Sequence, residues 1–257
     1  VHPTFSEGCF LTATALFAGT VDAIAGGGGL ITLPALLSIP SLGTDAHLAL
    51  GTNKGQAVFG SGASLVRFAR GGLVDRPRAL PAFLLGFAGS AIGARLAIAT
   101  PPDRLKPIVV SIVAGVAIYL SLRRSGGPSH LARRPHRATA ALTALGIGVY
   151  DGFIGPGTGT FLIIAFVGLL GDTMLRASAN AKVVNFASNL AALALFAWRG
   201  MVIWSYALPM AAAQLVGGTL GAHIASRVGD HLVRRTVLVV SLALIGKVLY
   251  DALGARA

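Results

Sequence analysis

The chain has 257 residues, of which 54% are apolar and only 12% charged, with a mean hydropathy of +0.74. Soluble domains carry about 25% charged residues, so this composition cannot clothe a water-soluble protein of this size, and the long Leu, Ile, Val and Phe runs exclude a disordered chain. The net charge of +12 does not mark a nucleic-acid binder either, because most Arg and Lys lie in short gaps between apolar runs, the pattern that sets topology in a bilayer.

A helix needs about 20 apolar residues to cross a ~30 Å hydrocarbon core. Apolar segments occupy residues 8–25, 30–39, 47–69, 79–100 and 105–122, and the second of these is too short to span. The first run lacks a basic flank and leads straight into a glycine motif, so no cleavable leader is expected. Its lone cysteine, Cys9, reads as a packing residue with no disulfide partner. A polar stretch with Arg123, Arg124, Arg133, Arg134 and Arg137 follows, and the pattern returns at 138–154, 160–170, 177–198, 204–226 and 234–250, again with a short second member. The expected architecture is an all-α integral membrane protein, with a first transmembrane repeat at 1–122, a basic cytoplasmic linker at 123–137 and a second repeat at 138–257.

A shift of 128 residues places Lys54 on Lys182, Phe68 on Phe196, Gly72 on Gly200, Pro81 on Pro209, Gly89 on Gly217 and Gly93 on Gly221. One residue further, Asp22 falls on Asp151, Gly26 on Gly155 and Gly28 on Gly157. The basic gap moves between the copies, from Arg67, Arg70, Arg76 and Arg78 in the first to Arg227, Arg234 and Arg235 in the second. That shift predicts inverted copies whose first two segments form a re-entrant pair. A parallel repeat stays open, since the difference is a few charges.

Two glycine clusters interrupt the helices. Gly26, Gly27, Gly28 and Gly29 lie a few residues after Asp22, and Gly155-Pro156-Gly157-Thr158-Gly159 lies a few residues after Asp151. Gly costs about 1 kcal/mol and Pro about 3 kcal/mol in a helix interior. Broken backbone at membrane depth survives only where protein or water satisfies it. A helix restarting after such a break presents unpaired N–H groups to an anion, and two matched breaks point to a transporter site. Close helix packing or a simple kink is the plainer alternative.

Polar residues also interrupt the next segment of each copy: Thr52, Asn53, Lys54 and Gln56 in the first, and Asn180, Lys182, Asn185, Ser188 and Asn189 in the second. Residues 182, 185 and 189 share one helical face. A lysine within a membrane helix marks function by default, unless it snorkels to the headgroups. Asp22 and Asp151 are candidates to carry protons, to cap the broken backbone, or to form ion pairs, Asp22 with Lys54 and Asp151 with Lys182. Gly89-x-x-x-Gly93 and Gly217-Gly218-x-x-Gly221 read as helix-packing faces. Arg95 and His223, at matched places near segment ends, read as snorkelling or capping residues. No nucleophile–base pair, metal cluster or Walker-type loop is visible, so neither an enzyme nor a cofactor or metal is expected.

The run A-G-G-G-G-L-I-T-L-P, the following G-T-N-K, the repeated L-P before a glycine-rich helix, and N-A-K-V-V-N-F together resemble the sulfite exporter TauE/SafE family, in order and over nearly the whole chain. Gly55 stands where members often carry Leu. The resemblance implies a permease for sulfite, sulfoacetate and related organosulfonates in the bacterial inner membrane. It places a small anionic substrate near Gly26 to Gly29, Thr52 to Gln56, Gly155 to Gly159 and Asn180 to Asn189. Helix N-termini and amides would hold the oxyanion, Lys54 and Lys182 would supply charge, and the halves would expose the site to each side in turn. An anion channel of the same architecture is the alternative.

Overall fold

Thr4 opens the first helix with a capping box: its hydroxyl accepts from the Glu7 amide at 3.3 Å, and the Glu7 carboxylate accepts from the Thr4 amide at 3.0 Å. The structure, a computed structural model, describes residues 4–43, 45–122, 137–233 and 235–236. In chain order the helices are α1 (Phe5–Ala25), α2 (Gly29–Ser38), α3 (Pro40–Gly43), α4 (Ala46–Arg70), α5 (Arg76–Ala99), α6 (Pro102–Leu122), α7 (Arg137–Phe153), α8 (Thr158–Leu170), α9 (Met174–Trp198) and α10 (Trp204–Val228). Each expected segment up to residue 226 is a helix, and the one-turn α3 is the addition. The linker at 123–136 and most of the final segment, 237–250, lie outside the described residues.

By length and apolarity α1, α5 and α9 can each cross a membrane. Helices α4 and α10 match them in length at 25 residues each. Helices α2 and α8 have 10 and 13 residues, about 15 and 20 Å at 1.5 Å per residue, too short to span. Phe17, Leu84, Leu96, Leu142, Leu208 and Leu220 are all exposed. So wide an apolar exterior suits acyl chains rather than water.

The small-residue faces bring helices into backbone contact. A methyl group at Gly217 or Gly221 of α10 would overlap the carbonyls of Leu16 and Thr20 on α1, and one at Gly89 or Gly93 of α5 would overlap those of Leu145 and Val149 on α7. The packing role expected of both motifs is therefore present. The same contacts give the helix directions. Residue numbers rise together where α10 lies along α1, and along α4, where Gly55 meets Ala207 and Ser64 Oγ donates to the Gly218 carbonyl at 3.1 Å. They also rise together for α5 along α7, and along α9, where Gly86 meets Val184 and Ser90 Oγ donates to the Ser188 carbonyl at 2.6 Å. Between α4 and α9 they run in opposition: Gly51 meets Phe196, Gly55 meets Leu193 and Gly62 meets Phe186. Helices α1, α4 and α10 thus point one way, and α5, α7 and α9 the other. One apolar cluster, with Leu11, Leu36, Leu50 and Tyr206, fills the end where α1 and α4 begin, and another, with Ala140, Phe166 and Ala177, fills the end where α7 and α9 begin.

Candidate functional site

Helix α1 ends where Gly26 turns left-handed, at φ 78°, with its amide donating to the Asp22 carbonyl at 2.9 Å. Helix α7 ends at Phe153, and Gly155, two residues on, also turns left-handed, at φ 93°. Both φ values lie where a side chain is strained, which is why glycine serves there. The two breaks abut. Thr160 donates from its amide to the Gly26 carbonyl at 3.3 Å and from its hydroxyl to the Ala25 carbonyl at 2.8 Å. Gly26 and Gly159 touch backbone to backbone, and Gly29 packs beside Pro156.

Between the breaks lies a cavity of about 30 Å³, lined by Gly26, Gly28, Gly29, Gly155, Thr158 and Gly159 from the broken segments, room for one or two water molecules. Among the described residues, the amides of Gly29 and Gly159 have no hydrogen-bond acceptor in the protein, as first-turn amides do not. Asn53, Lys54 and Gln56 of α4 and Asn185 and Asn189 of α9 also line it. Gln56 Oε1 and Asn185 Oδ1 are buried without a partner. Buried orphans of this kind call for an explanation, and a ligand or water supplies one.

The lysines do not snorkel: Lys54 is 2% exposed and Lys182 0%. Lys54 pairs with an aspartate of the second half of the sequence, and Lys182 with one of the first. Lys54 Nζ donates to Asp151 Oδ1 at 2.7 Å, and Lys182 Nζ to Asp22 Oδ2 at 2.7 Å. This corrects the expected pairing of Asp22 with Lys54 and of Asp151 with Lys182. The physical reason is that the two breaks abut: α4 lies along α1 and α2, and α9 along α7 and α8, but each lysine reaches past the break its own helix packs on to the aspartate beside the other. Gly155 helps, because a Cβ there would stand 2.8 Å from Lys54 Nζ. Asp151 also accepts from the Thr158 hydroxyl at 3.1 Å and from Ser188, while Asp22 caps the break by accepting from the Gly28 amide at 3.1 Å. The two pairs sum to zero, so the lysines as they stand give the cavity no net positive charge.

Other expected residues fall outside the cavity wall. Gly27 and Gly157 build the bends without lining it, and Lys182 sits behind Asp22. Thr52 Oγ accepts from the Ile203 amide at 3.1 Å, and Asn180 Oδ1 accepts from the Asp75 amide at 2.9 Å. These are matched positions at the same shift of 128 residues, so a polar side chain of α4 pins the start of α10 and one of α9 pins the start of α5. Arg78 is no loop charge: it is buried and bridges Asp75 and Asp172 at 2.7 and 2.8 Å. His223 lies against Arg67. Sequence reasoning missed Thr32, whose hydroxyl donates to Asn53 Oδ1 at 2.7 Å, and Gln214. Gln214 is the one amide side chain in α10, which was the available signal.

A multi-pass helical protein that brings two matched helix breaks together at one cavity, with a buried lysine–aspartate pair beside each, has the build of a membrane transporter. The chain belongs to the sulfite exporter TauE/SafE family, whose model matches residues 11–248. It is 40% identical to "Probable membrane transporter protein ORF9" of Sinorhizobium sp, over 94% of this chain and 92% of that one. It is 37% identical to "Probable membrane transporter protein YfcA" of Escherichia coli strain K12, over 93% and 88%, and 37% identical to a "Probable membrane transporter protein" of Haemophilus influenzae, over 91% of each. No solved structure matches the chain. The protein is thus a membrane transporter with a small-molecule substrate.

Proposed function

We propose that this protein is a secondary transporter, an exporter or permease, that moves small sulfur-containing anions such as sulfite, sulfoacetate or other organosulfonates across the bacterial inner membrane by alternating access. The observation that carries this reading is the meeting of two helix breaks at one buried cavity, with the free amides of Gly29 and Gly159 in its wall. Helix N-termini attract an anion without a formal charge, and the amides of Asn185, Asn189 and Gln214 lie beside them. The family description contributes the sulfur chemistry.

Residues 1–122 and 138–257 act as two inverted repeats joined by a cytoplasmic linker at 123–137. The opposed directions of α1 and α7, of α4 and α9 and of α5 and α10 support this. Helix α2 lies in the chain between two helices that run the same way, so it must return toward the side where α1 begins, as a re-entrant segment does. Arg67, Arg70, Arg76, Arg176 and Arg227 gather at one end of the bundle, which the positive-inside rule places in the cytoplasm. The small cavity and the near-complete burial of both lysines support a carrier rather than an open pore.

Purified protein in liposomes preloaded with unlabelled sulfite tests this through uptake of ³⁵S-sulfite. Saturable uptake accelerated by the internal sulfite is the expected result. Unitary currents without saturation would replace the carrier by a channel.

A further inference from the structure

We propose that Asp22 carries a proton together with the anion, so that the cargo crosses as a monoanion with one proton and no net charge; this rests on reading the cavity as an anion site. The site holds two ammonium groups and two carboxylates, Lys54 with Asp151 and Lys182 with Asp22, and is neutral. An anion entering it would leave three negative charges against two positive ones. Burying an unbalanced charge costs several kcal/mol, whereas one proton per monoanion keeps the sum at zero.

The two carboxylates are not equivalent. Asp151 is 4% exposed and accepts from Lys54, Thr158 and Ser188. Asp22 is 22% exposed, faces the cavity, and among the described residues accepts only from Lys182 and the Gly28 amide. The other charged groups of the cavity are Lys54 and Asp151, on α4 and α7. From α9 only Lys182 faces Asp22, α10 presents the uncharged Gln214, and α2 contains no titratable residue. Asp22 is therefore the carboxylate that water can reach. When the anion binds, the Asp22 carboxylate takes the proton, Lys182 remains an ammonium, and its charge, now released from Asp22, balances the anion through the cavity wall. When the anion leaves, the proton leaves with it and the ion pair re-forms. The capping bond from Gly28 ties this event to the break between α1 and α2, so protonation also loosens the hinge.

The test uses ³⁵S-sulfite in liposomes containing wild-type protein, Asp22→Asn, Asp22→Glu or Asp151→Asn, with the flux of protein-free liposomes subtracted. Comparing variants at identical pH cancels the ionisation of sulfite itself. A gradient of one pH unit drives about tenfold accumulation of the sulfite monoanion by the wild type, and clamping the membrane potential at different values leaves that accumulation unchanged. Wild-type accumulation that follows the potential overturns the proposal without any variant. In Asp22→Asn, whatever exchange remains, the ratio of gradient-driven accumulation falls to one. A ratio still near ten, or loss of coupling in Asp151→Asn instead, overturns it. Asp22→Glu keeps the pair and moves the pH profile of uptake; an unmoved profile also overturns it. Failure of the wild type to exchange sulfite at all would count against the anion site and not against Asp22.

Discussion

Replacing Gly159 by Ala isolates the contact between the two breaks. Gly159 is helical, so the new methyl brings no φ penalty; the whole effect is steric. Its Cβ would stand 2.7 Å from the Gly26 carbonyl oxygen and overlap the Gly26 Cα. The Gly26 Cα is nearest, at 2.4 Å, and ordinary contact begins near 3.5 Å, so the two backbones must part by about 1.1 Å. Backbone cannot rotate away as a side chain would, and overpacking of this kind costs about 1–3 kcal/mol, roughly 5- to 150-fold in the population of the packed state. Gly146→Ala in α7 is the matched control. Nothing lies within 4 Å of its Cβ, so it gains roughly 0.5–1 kcal/mol of helix propensity. Thermal unfolding of the purified protein and sulfite exchange in liposomes are measured together. Gly159→Ala lowers the melting temperature and exchange, while Gly146→Ala raises the melting temperature and leaves exchange intact. A Gly159→Ala protein that melts and exchanges like the wild type would refute the abutting breaks.

Lys54→Met leaves the Asp151 carboxylate buried beside Thr158 and Ser188 without its cation, and destabilises the protein by about 3–5 kcal/mol; Lys54→Met with Asp151→Leu recovers most of that loss in thermal unfolding, whereas adding Asp22→Leu to Lys54→Met recovers none. Asn180→Ala and Thr52→Val each remove one pin of a helix start, at about 1 kcal/mol, and lower the melting temperature with little change in sulfite KM, because neither side chain lines the cavity. In a Cys9→Ser background, Arg70→Cys and Arg199→Cys, at the exposed ends of α4 and α9, react with an impermeant maleimide from opposite sides of the membrane; labelling from one side would make the repeat parallel.

What was legible in the sequence was whatever violates the local rule of a lipid-buried helix. Glycines and a proline inside apolar runs announced both breaks, and the Gly89, Gly93, Gly217 and Gly221 faces announced close packing. Lys54 and Lys182 stood out because an ammonium in hydrocarbon is so costly. The identity of their partners was not legible. Lys54 meets an aspartate 97 residues away and Lys182 one 160 residues away, and only the abutting of the two breaks in space decides between equivalent partners. Thr52 and Asn180 looked like ligands because polarity alone does not distinguish a side chain that binds a substrate from one that pins a backbone amide. Arg78 looked like a topological charge because its partners, Asp75 and Asp172, sit at the ends of different helices. Thr32 and Gln214 stand alone among apolar neighbours in the sequence, and their role follows from the cavity they face.

Occupancy of the cavity itself can be measured by titrating sulfite into purified wild-type protein and Ala57→Val by calorimetry. Ala57 lines the cavity wall, and two added carbons would take up much of its roughly 30 Å³. The wild type should bind sulfite saturably, and Ala57→Val should lose that binding while keeping its melting temperature in the absence of sulfite. Undiminished binding by Ala57→Val would place the anion elsewhere and contradict a site built between the two breaks.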